Sequence, residues 1–323
     1  MKCIIIYLSV TGNTELIAKT IQTGIKQAAG HCDITTLKEA NWHNLWEYDL
    51  MGFGCPPMDG HIETPNFSAF INAMQFVGGK HAFVFATHGT HPEYIFPSMI
   101  SKLKNRGLTV IGMYDCYAPC NLSIFPWPYI TAGHPDQIDL KEATDFGREI
   151  VYRSQRISAG ETDLIPPVPQ APRMDPEQEK EIARQMEEQR KQGKLSYPAS
   201  FPVLRKFHEE LCTYPKCRLC MDHCPVDGID LSVKPYVIGK PCVGCTFCAK
   251  ICPTGAMDES AWVAASAPQI AERMQFYVQG VEKPEAEGSF RRLLPPEKLG
   301  VNTPIYKVFN KHPQWIIGKG FNK

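Results

Sequence analysis

The chain has 323 residues, of which 34 are Lys or Arg and 34 are Asp or Glu, so its formal net charge is zero. This balance argues against a general nucleic-acid binder, which needs an excess of positive charge over the phosphates. Hydrophobic residues make up 43% of the chain, enough for packed cores. No apolar run reaches the ~18 residues of a membrane span, and a length of roughly 150 residues per domain predicts about two domains.

Thirteen cysteines are the most informative part of the composition. Five lie before residue 121, none lies between 121 and 211, and eight lie between Cys212 and Cys252. Cysteines clustered in this way indicate bound metal rather than disulfides in a cytosolic chain. Because Met1-Lys2 lead directly into a strand-like run without the pattern of a signal peptide, we expect a cytoplasmic protein.

Residues 1–157 alternate between strand-like and helix-like patterns. Five apolar runs have the length of a strand, at Lys2–Ser9, Asp33–Leu37, Tyr48–Gly54, His81–Thr87 and Leu108–Tyr114. Helical patterns occur at Thr14–Ala29, Asn66–Phe76, Glu93–Asn105 and Asp136–Arg156. Apolar strands that alternate with helices predict an α/β fold with a doubly wound, five-stranded parallel sheet, whose ligand binds at the carboxyl ends of the strands.

The segment Ser9–Thr14 (SVTGNT), after the first predicted strand, has the composition of a phosphate-binding loop. Its hydroxyls can donate to phosphate oxygens, Gly12 lets the backbone approach closely, and the next helix offers free N–H groups. The segment lacks the Gly-Lys-Ser/Thr ending of a P-loop and the GxGxxG pattern of a dinucleotide loop, so we expect a monophosphate. An ordinary strand-to-helix turn is the alternative.

This loop resembles the FMN phosphate loop of flavodoxins, a family with a doubly wound α/β fold and FMN as cofactor. The resemblance implies that the phosphate contacts are Ser9, Thr11, Gly12, Asn13 and Thr14. It implies further flavin contacts after the third, fourth and fifth strands, namely Cys55, Pro56, Pro57, Met58, Thr87, His88, Gly89, Thr90, Asp115, Cys116 and Tyr117.

The composition changes between residues 158 and 200, where five prolines lie from Pro166 to Pro176. Such a run predicts a stiff, extended linker. Asp175-Pro176 is typical of a helix start, and the charged segment Glu177–Lys191 predicts a solvated linker helix.

Two cysteine motifs follow. The second reads Cys242-x2-Cys245-x2-Cys248-x3-Cys252-Pro, which is the spacing of bacterial two-cluster ferredoxins. In that spacing three thiolates bind one cluster and the fourth cysteine binds the other. Zinc is the alternative, although its structural sites usually show paired CxxC knuckles with four ligands per ion.

The first motif, Cys212-x4-Cys217-x2-Cys220-x3-Cys224-Pro, has a longer first gap but the same remaining spacing. Exchange of the fourth ligands predicts two 4Fe-4S clusters: cluster A on Cys212, Cys217, Cys220 and Cys252, and cluster B on Cys224, Cys242, Cys245 and Cys248. The early position of Cys212 leaves a three-iron or labile cluster open for cluster A. The motifs predict a small α+β ferredoxin-like domain.

The chain as a whole resembles the flavodoxin–ferredoxin fusion iron–sulfur flavoproteins of anaerobes. We divide it into an FMN domain at 1–157, a linker at 158–200, a ferredoxin-like domain at 201–260 and a C-terminal extension at 261–323. Because FMN holds one or two electrons and a cluster passes one at a time, we expect electron transfer between the clusters, FMN and a redox partner protein in anaerobic metabolism.

Two other functions stay open at this point. One is an FMN-dependent oxidoreductase that acts directly on a small substrate, with His88 and Tyr117 as candidate catalytic residues. The other is a reductive activase of a corrinoid or radical enzyme. The loop Pro119–Gly133 would serve either as an added pocket or as a contact in a homodimer.

The C-terminal tail is basic. From Gly288 to Lys323 it contains seven Lys or Arg and a single acid, Glu297. This pattern favours packing across the domains or docking of an acidic redox partner over nucleic-acid binding.

Overall fold

The computed structural model describes residues 1–58, 63–92, 94–120, 122, 125, 128–170, 184, 188, 206–238 and 242–299. Short runs of buried apolar residues form a five-stranded sheet, made of β1 (Cys3–Tyr7), β2 (Asp33–Thr36), β3 (Leu50–Gly54), β4 (His81–His88) and β5 (Thr109–Tyr117). The strand order is β2-β1-β3-β4-β5 and every neighbouring pair is parallel. The predicted doubly wound parallel sheet is therefore confirmed.

Four helices cover the two faces of this sheet, namely α1 (Asn13–Ala29), α2 (Pro65–Ala73), α3 (Ile95–Lys104) and α4 (Gln137–Ser158). Side chains alternate across a strand, so Ile5 faces α1 and α4, whereas Ile4 and Ile6 face α2 and α3. Both faces are apolar, which is why the strands have continuous hydrophobic runs rather than alternating patterns.

Helices α1 and α4 approach each other closely at two glycines. A Cβ atom on Gly24 would lie 2.0 Å from the carbonyl oxygen of Thr144, and one on Gly147 would lie 2.2 Å from that of Ile21. Only glycine fits at these crossing points. This contact fixes α1, whose first turn begins within the Ser9–Thr14 segment, at Asn13.

The boundaries of several elements differ from their predicted positions. Strand β5 continues to Tyr117, so Asp115 lies within the strand rather than after it. Helix α2 ends at Ala73 because Met74 is already extended, three residues before the predicted end. Helix α4 begins at Gln137, since Asp136 is its N-cap and forms a capping box with Asp139.

The cysteine-rich segment forms two small antiparallel ladders and two short helices. Strand β6 (Lys206–Phe207) pairs with β9 (Met257–Asp258), and β7 (Ile229–Asp230) pairs with β8 (Val237–Ile238). Helices α5 (Leu219–Asp222) and α6 (Phe247–Ile251) occupy equivalent positions in the two motifs. This small α+β unit agrees with the small α+β domain that the cysteine motifs predict.

A long helix, α7 (Ser260–Ala286), follows the cysteine motifs. Its Trp262 and Val281 pack with Tyr129 and Ile130, which lie in the long loop after β5. In the described part of the chain, no helix is long and apolar enough to cross a membrane. The tail after Leu299 and the predicted linker helix, apart from Arg184 and Glu188, lie outside the described residues.

Candidate functional site

The Ser9–Thr14 loop connects β1 to α1 at the carboxyl edge of the sheet. Gly12 has a φ of 93°, a left-handed conformation that glycine adopts without strain, and it is the N-cap of α1. Its amide donates to the Ser9 hydroxyl oxygen at 3.2 Å. No described side chain caps the helix start, so the first-turn N–H groups remain available to an anion.

A buried hydrogen bond joins this loop to the end of β4. The hydroxyl oxygens of Thr14 and Thr87 are 2.7 Å apart, and both side chains are buried. Sequence reasoning assigns the two threonines to different parts of the ligand. The structure brings them together beside the N-terminus of α1. Their mutual hydrogen bond uses one of the two hydroxyl protons, so one proton is left to donate to a phosphate group.

The segment from the loop after β3 to the first turn of α2 contains polar atoms that are buried without a hydrogen-bond partner in the described part of the protein. They are one carboxylate oxygen of Glu63, the hydroxyl of Thr64 and the side-chain oxygen of Asn66. The other Glu63 oxygen accepts from Ser68 at 2.7 Å and lies 2.6 Å from the Lys102 ammonium. Buried polar atoms of this kind need a ligand or water, so this edge fits a polar cofactor such as FMN.

Some predicted flavin contacts lie in the core instead. Cys55 is fully buried among the residues under α2 and α3, and burial raises the pKa of its thiol well above the usual value. Cys116 packs on the opposite face with Ile111 and Ala143, where burial likewise raises the pKa of its thiol. Both thiol side chains are therefore used in packing, and a flavin contact at either position stays a prediction for backbone atoms. Pro56, Pro57 and Met58 are half-buried beyond β3.

The ends of β4 and β5 hold an imidazole–carboxylate pair. The His88 Nε2 atom lies 2.9 Å from a carboxylate oxygen of Asp115, and the His88 side chain is buried. Burial alone would raise the pKa of Asp115, but the contact with His88 keeps it below the usual range. The Nδ1 atom of His88 has no hydrogen-bond partner in the described structure. The Tyr117 ring packs edge-on at 4.7 Å from the imidazole.

The loop after β4 continues from this pair. A Cβ atom on Gly89 would lie 2.9 Å from the Tyr129 ring, and Thr90 is buried. Thr11 and Asn13, in the loop after β1, are half-buried. The predicted contacts after β1 and β4 therefore lie at one edge of the sheet.

The four cysteines assigned to cluster A line one cavity, together with apolar residues that include Phe207, Leu231 and Met257. Burial, and then the negative charge of the other three thiolates, raises the pKa of Cys220 to about 11. Four mutually repelling thiolates in an apolar pocket suit a cationic iron cluster, which neutralises them.

The surroundings of Cys252 favour its thiolate form. Burial alone would raise its pKa, but hydrogen bonds from backbone groups of Met257, Thr254 and Ala256 and from the Thr254 hydroxyl keep it below the usual value. The thiolate is the form of cysteine that binds metal. The cavity described above also contains Cys252, so a cysteine of the second motif lies with the cysteines of the first.

The cysteines assigned to cluster B accept hydrogen bonds from backbone amides. Gly228 donates to the Cys224 sulfur at 3.1 Å, and Gly244 donates to the Cys242 sulfur at 3.4 Å. A Cβ atom on Gly228 would lie 3.4 Å from the Cys242 nitrogen, so the two segments touch. Amide hydrogen bonds to sulfur are one of the factors that set the potential of an iron–sulfur cluster.

Among the described residues, no three His, Cys, Asp or Glu side chains meet closely enough to hold a single metal ion. A 4Fe-4S cluster holds its thiolates at the corners of a cube and needs them farther apart than one ion does. The all-thiolate donor sets and the shared cavity of the first set therefore fit a cluster.

Comparisons with known proteins agree with this arrangement. The family model described as "Flavodoxin domain" matches residues 4–114. A flavodoxin of Clostridium beijerinckii is 24% identical over 148 residues, which are 45% of this chain and 96% of that protein. An uncharacterized ferredoxin of Methanocaldococcus jannaschii is 33% identical over 49 residues, which are 15% of this chain and 79% of that protein.

Among solved structures, a flavodoxin from the domain Archaea aligns with 19% identity over 48% of this chain and 99% of its own, with a TM-score of 0.36. The family match and the strand order show that residues 4–114 lie in a domain with the flavodoxin-like fold.

Proposed function

We propose that this protein carries electrons between two 4Fe-4S clusters and FMN for a redox partner protein. The observation that carries the proposal is the presence, in one chain, of a flavodoxin-like phosphate loop and a cavity lined by Cys212, Cys217, Cys220 and Cys252. When bound, FMN accepts one or two electrons, whereas a cluster passes one at a time. Together they would convert between two-electron and one-electron transfer.

The residues of the chain have separate tasks in this proposal. The first-turn amides of α1, with the one hydroxyl proton that the Thr14–Thr87 pair leaves free, bind the phosphate and so fix the flavin at the sheet edge. The thiolates hold the clusters. Apolar residues around the first cysteine set, such as Phe207 and Met257, exclude water from it.

The pair formed by buried His88 and exposed Asp115 supports a second candidate, direct reaction of FMN with a small substrate. Asp115 holds one imidazole nitrogen of His88 and leaves the other without a partner in the described structure. An imidazole oriented by a carboxylate is the usual arrangement of a general acid or base. This second function differs from the first because it requires a substrate to reach the flavin.

The test is anaerobic purification followed by flavin, iron and sulfide analysis. We expect one FMN and two 4Fe-4S clusters per chain, and we expect Cys220→Ser to lower the iron content while FMN is retained. Cys32→Ser is the matched control, since that buried cysteine packs in the α1–α4 core. A wild-type chain that binds FMN without iron, or iron without FMN, would contradict the proposal.

Reduction of the loaded protein separates the two candidates. Bleaching only by a reduced ferredoxin supports an electron carrier. Direct bleaching by NADH or NADPH supports the oxidoreductase, and His88→Gln would then slow that reaction while FMN stays bound.

A further inference from the structure

The two cysteine repeats differ in burial at equivalent positions. Leu219 lies two residues after Cys217, and Phe247 lies two residues after Cys245. Leu219 is 41% exposed, whereas Phe247 is 2% exposed. Both residues begin a short helix, so their local structure is the same. The difference in exposure therefore arises from the residues that pack over Phe247 in the second repeat.

The flavodoxin-like domain covers the second repeat through its phosphate loop. Val10 packs against Phe247 and Ile251, and Cys245 packs against the same two residues. Since Val10 belongs to the Ser9–Thr14 loop, a side chain of the proposed phosphate site and a ligand of cluster B share one small apolar cluster.

Two further contacts join the same parts. The Lys38 ammonium, after β2, lies 2.5 Å from a carboxylate oxygen of Asp227, which follows Cys224 by three residues. Cys120, after β5, lies close enough to Lys250 for the two to interact electrostatically. Loops after three strands of the sheet therefore face the second cysteine set.

The first cysteine set lies away from this contact. The residues that line its cavity all lie between Phe207 and Met257, within the cysteine-rich segment itself. Leu211, beside Cys212, is 45% exposed. Among the described residues, none from the flavodoxin-like domain lines this cavity.

We propose that cluster B is the cluster adjacent to FMN, with Val10 and Phe247 as the positioning contact, and that cluster A faces the external partner. This order rests on the proposed function. Each transfer moves a single electron: cluster B loses one electron and FMN gains one. The partner protein, through cluster A, then replaces the electron, and two transfers with two protons from water complete the reduction of FMN.

The test uses the phosphorus NMR signal of bound FMN. A reduced 4Fe-4S cluster carries an unpaired electron, which broadens nearby resonances with the inverse sixth power of distance, and fully reduced FMN is diamagnetic. We expect reduction to broaden the phosphate signal in the wild-type protein. The broadening should be lost in Cys245→Ser and kept in Cys217→Ser. The opposite pattern would overturn the order.

A matched pair at the equivalent positions covers the case in which a cysteine variant loses both clusters. Phe247→Ala removes the contact with Val10 and should weaken the broadening, whereas Leu219→Ala should leave it unchanged. Equal effects of both substitutions would overturn the inference.

Iron and FMN analysis of each sample separates the two proposals. A wild-type protein that binds both groups without broadening refutes only the order of the clusters. A wild-type protein that lacks one of the groups refutes the proposed function.

Discussion

At the scale of single residues, Gly12 combines two roles at the start of α1. Its positive φ ends the loop after β1, and its lack of a side chain leaves the helix amides exposed to an anion. A Cβ atom at this position would meet no other atom within 4 Å. The requirement for glycine is therefore one of backbone conformation and not of space.

We predict that Gly12→Ala weakens FMN binding. A non-glycine residue in the left-handed region costs about 1–2 kcal/mol, and relaxation of that strain moves the amides that would bind the phosphate. Gly30 is the matched control, because it has a φ of 80° at the other end of α1 and also has open space. Both variants should lose similar stability in thermal unfolding, but only Gly12→Ala should raise the FMN dissociation constant. Equal FMN affinity in the two variants would contradict a phosphate site at Gly12.

Sequence patterns predict some of these residues and miss others for a physical reason. The Ser9–Thr14 loop is visible because hydroxyls and glycine are adjacent in the chain. The pairs Thr14–Thr87 and His88–Asp115 form only when separate strands align. Glu63 gives no signal at all, because only its burial marks it as unusual.

At the scale of elements, the contact between α1 and α4 fixes the position of the helix whose first turn lies at the proposed phosphate site. Gly24 and Gly147 let the two helices approach until a Cβ atom would overlap the opposite backbone. Helix α1 then points its first turn at the carboxyl edge. Periodicity predicts both helices but carries no signal for their separation.

We predict that Gly147→Ala destabilises the protein by about 1–3 kcal/mol through overpacking, and lowers FMN affinity because α1 is displaced. Gly280→Ala in α7 is the control, since its Cβ atom would lie 3.8 Å from the His91 ring, an ordinary contact. That variant should gain up to about 1 kcal/mol from helix propensity. Chemical denaturation measures both changes. A neutral Gly147→Ala would mean that the helices separate without cost.

At the scale of the whole molecule, the chain after α7 is bound to the flavodoxin-like domain by charge. Arg291 contacts Asp136 at 2.7 Å and Asp139 at 2.6 Å, and Arg292 pairs with Glu285. Both arginines are thus paired within the protein. Only the Arg291 contacts cross between domains and favour the packing alternative, and the remaining basic residues of the tail, apart from Lys298, lie outside the described residues.

His134 makes this contact dependent on pH. Its two ring nitrogens lie 2.6 Å from an Asp139 oxygen and 2.7 Å from the Arg291 carbonyl oxygen, so only the protonated ring donates to both. Burial lowers the pKa of His134, but these hydrogen bonds outweigh burial and raise it above its usual value. A raised histidine pKa gives stability that is complete below the unfolded pKa and is lost as the pH rises through the folded pKa.

We therefore predict that the stability difference between wild type and His134→Gln is complete below the usual histidine pKa and shrinks as the pH rises above it. Asp136 and Asp139 do not contribute in this range, because their contacts keep both pKa values below the usual range and both stay ionised. Thermal unfolding across the range measures the difference. A difference that stays constant would show that the ring does not titrate in this contact.

The position of Cys252 in the first cysteine cavity has a consequence for synthesis. As the chain leaves the ribosome, the first set stays at three thiolates until the last cysteine of the protein has emerged. By then the cysteines of the second set have all been made. Under the proposed assignment the two four-thiolate sites are completed almost together, at Cys248 and Cys252, and a nascent chain that stops before Cys252 has only an incomplete first site.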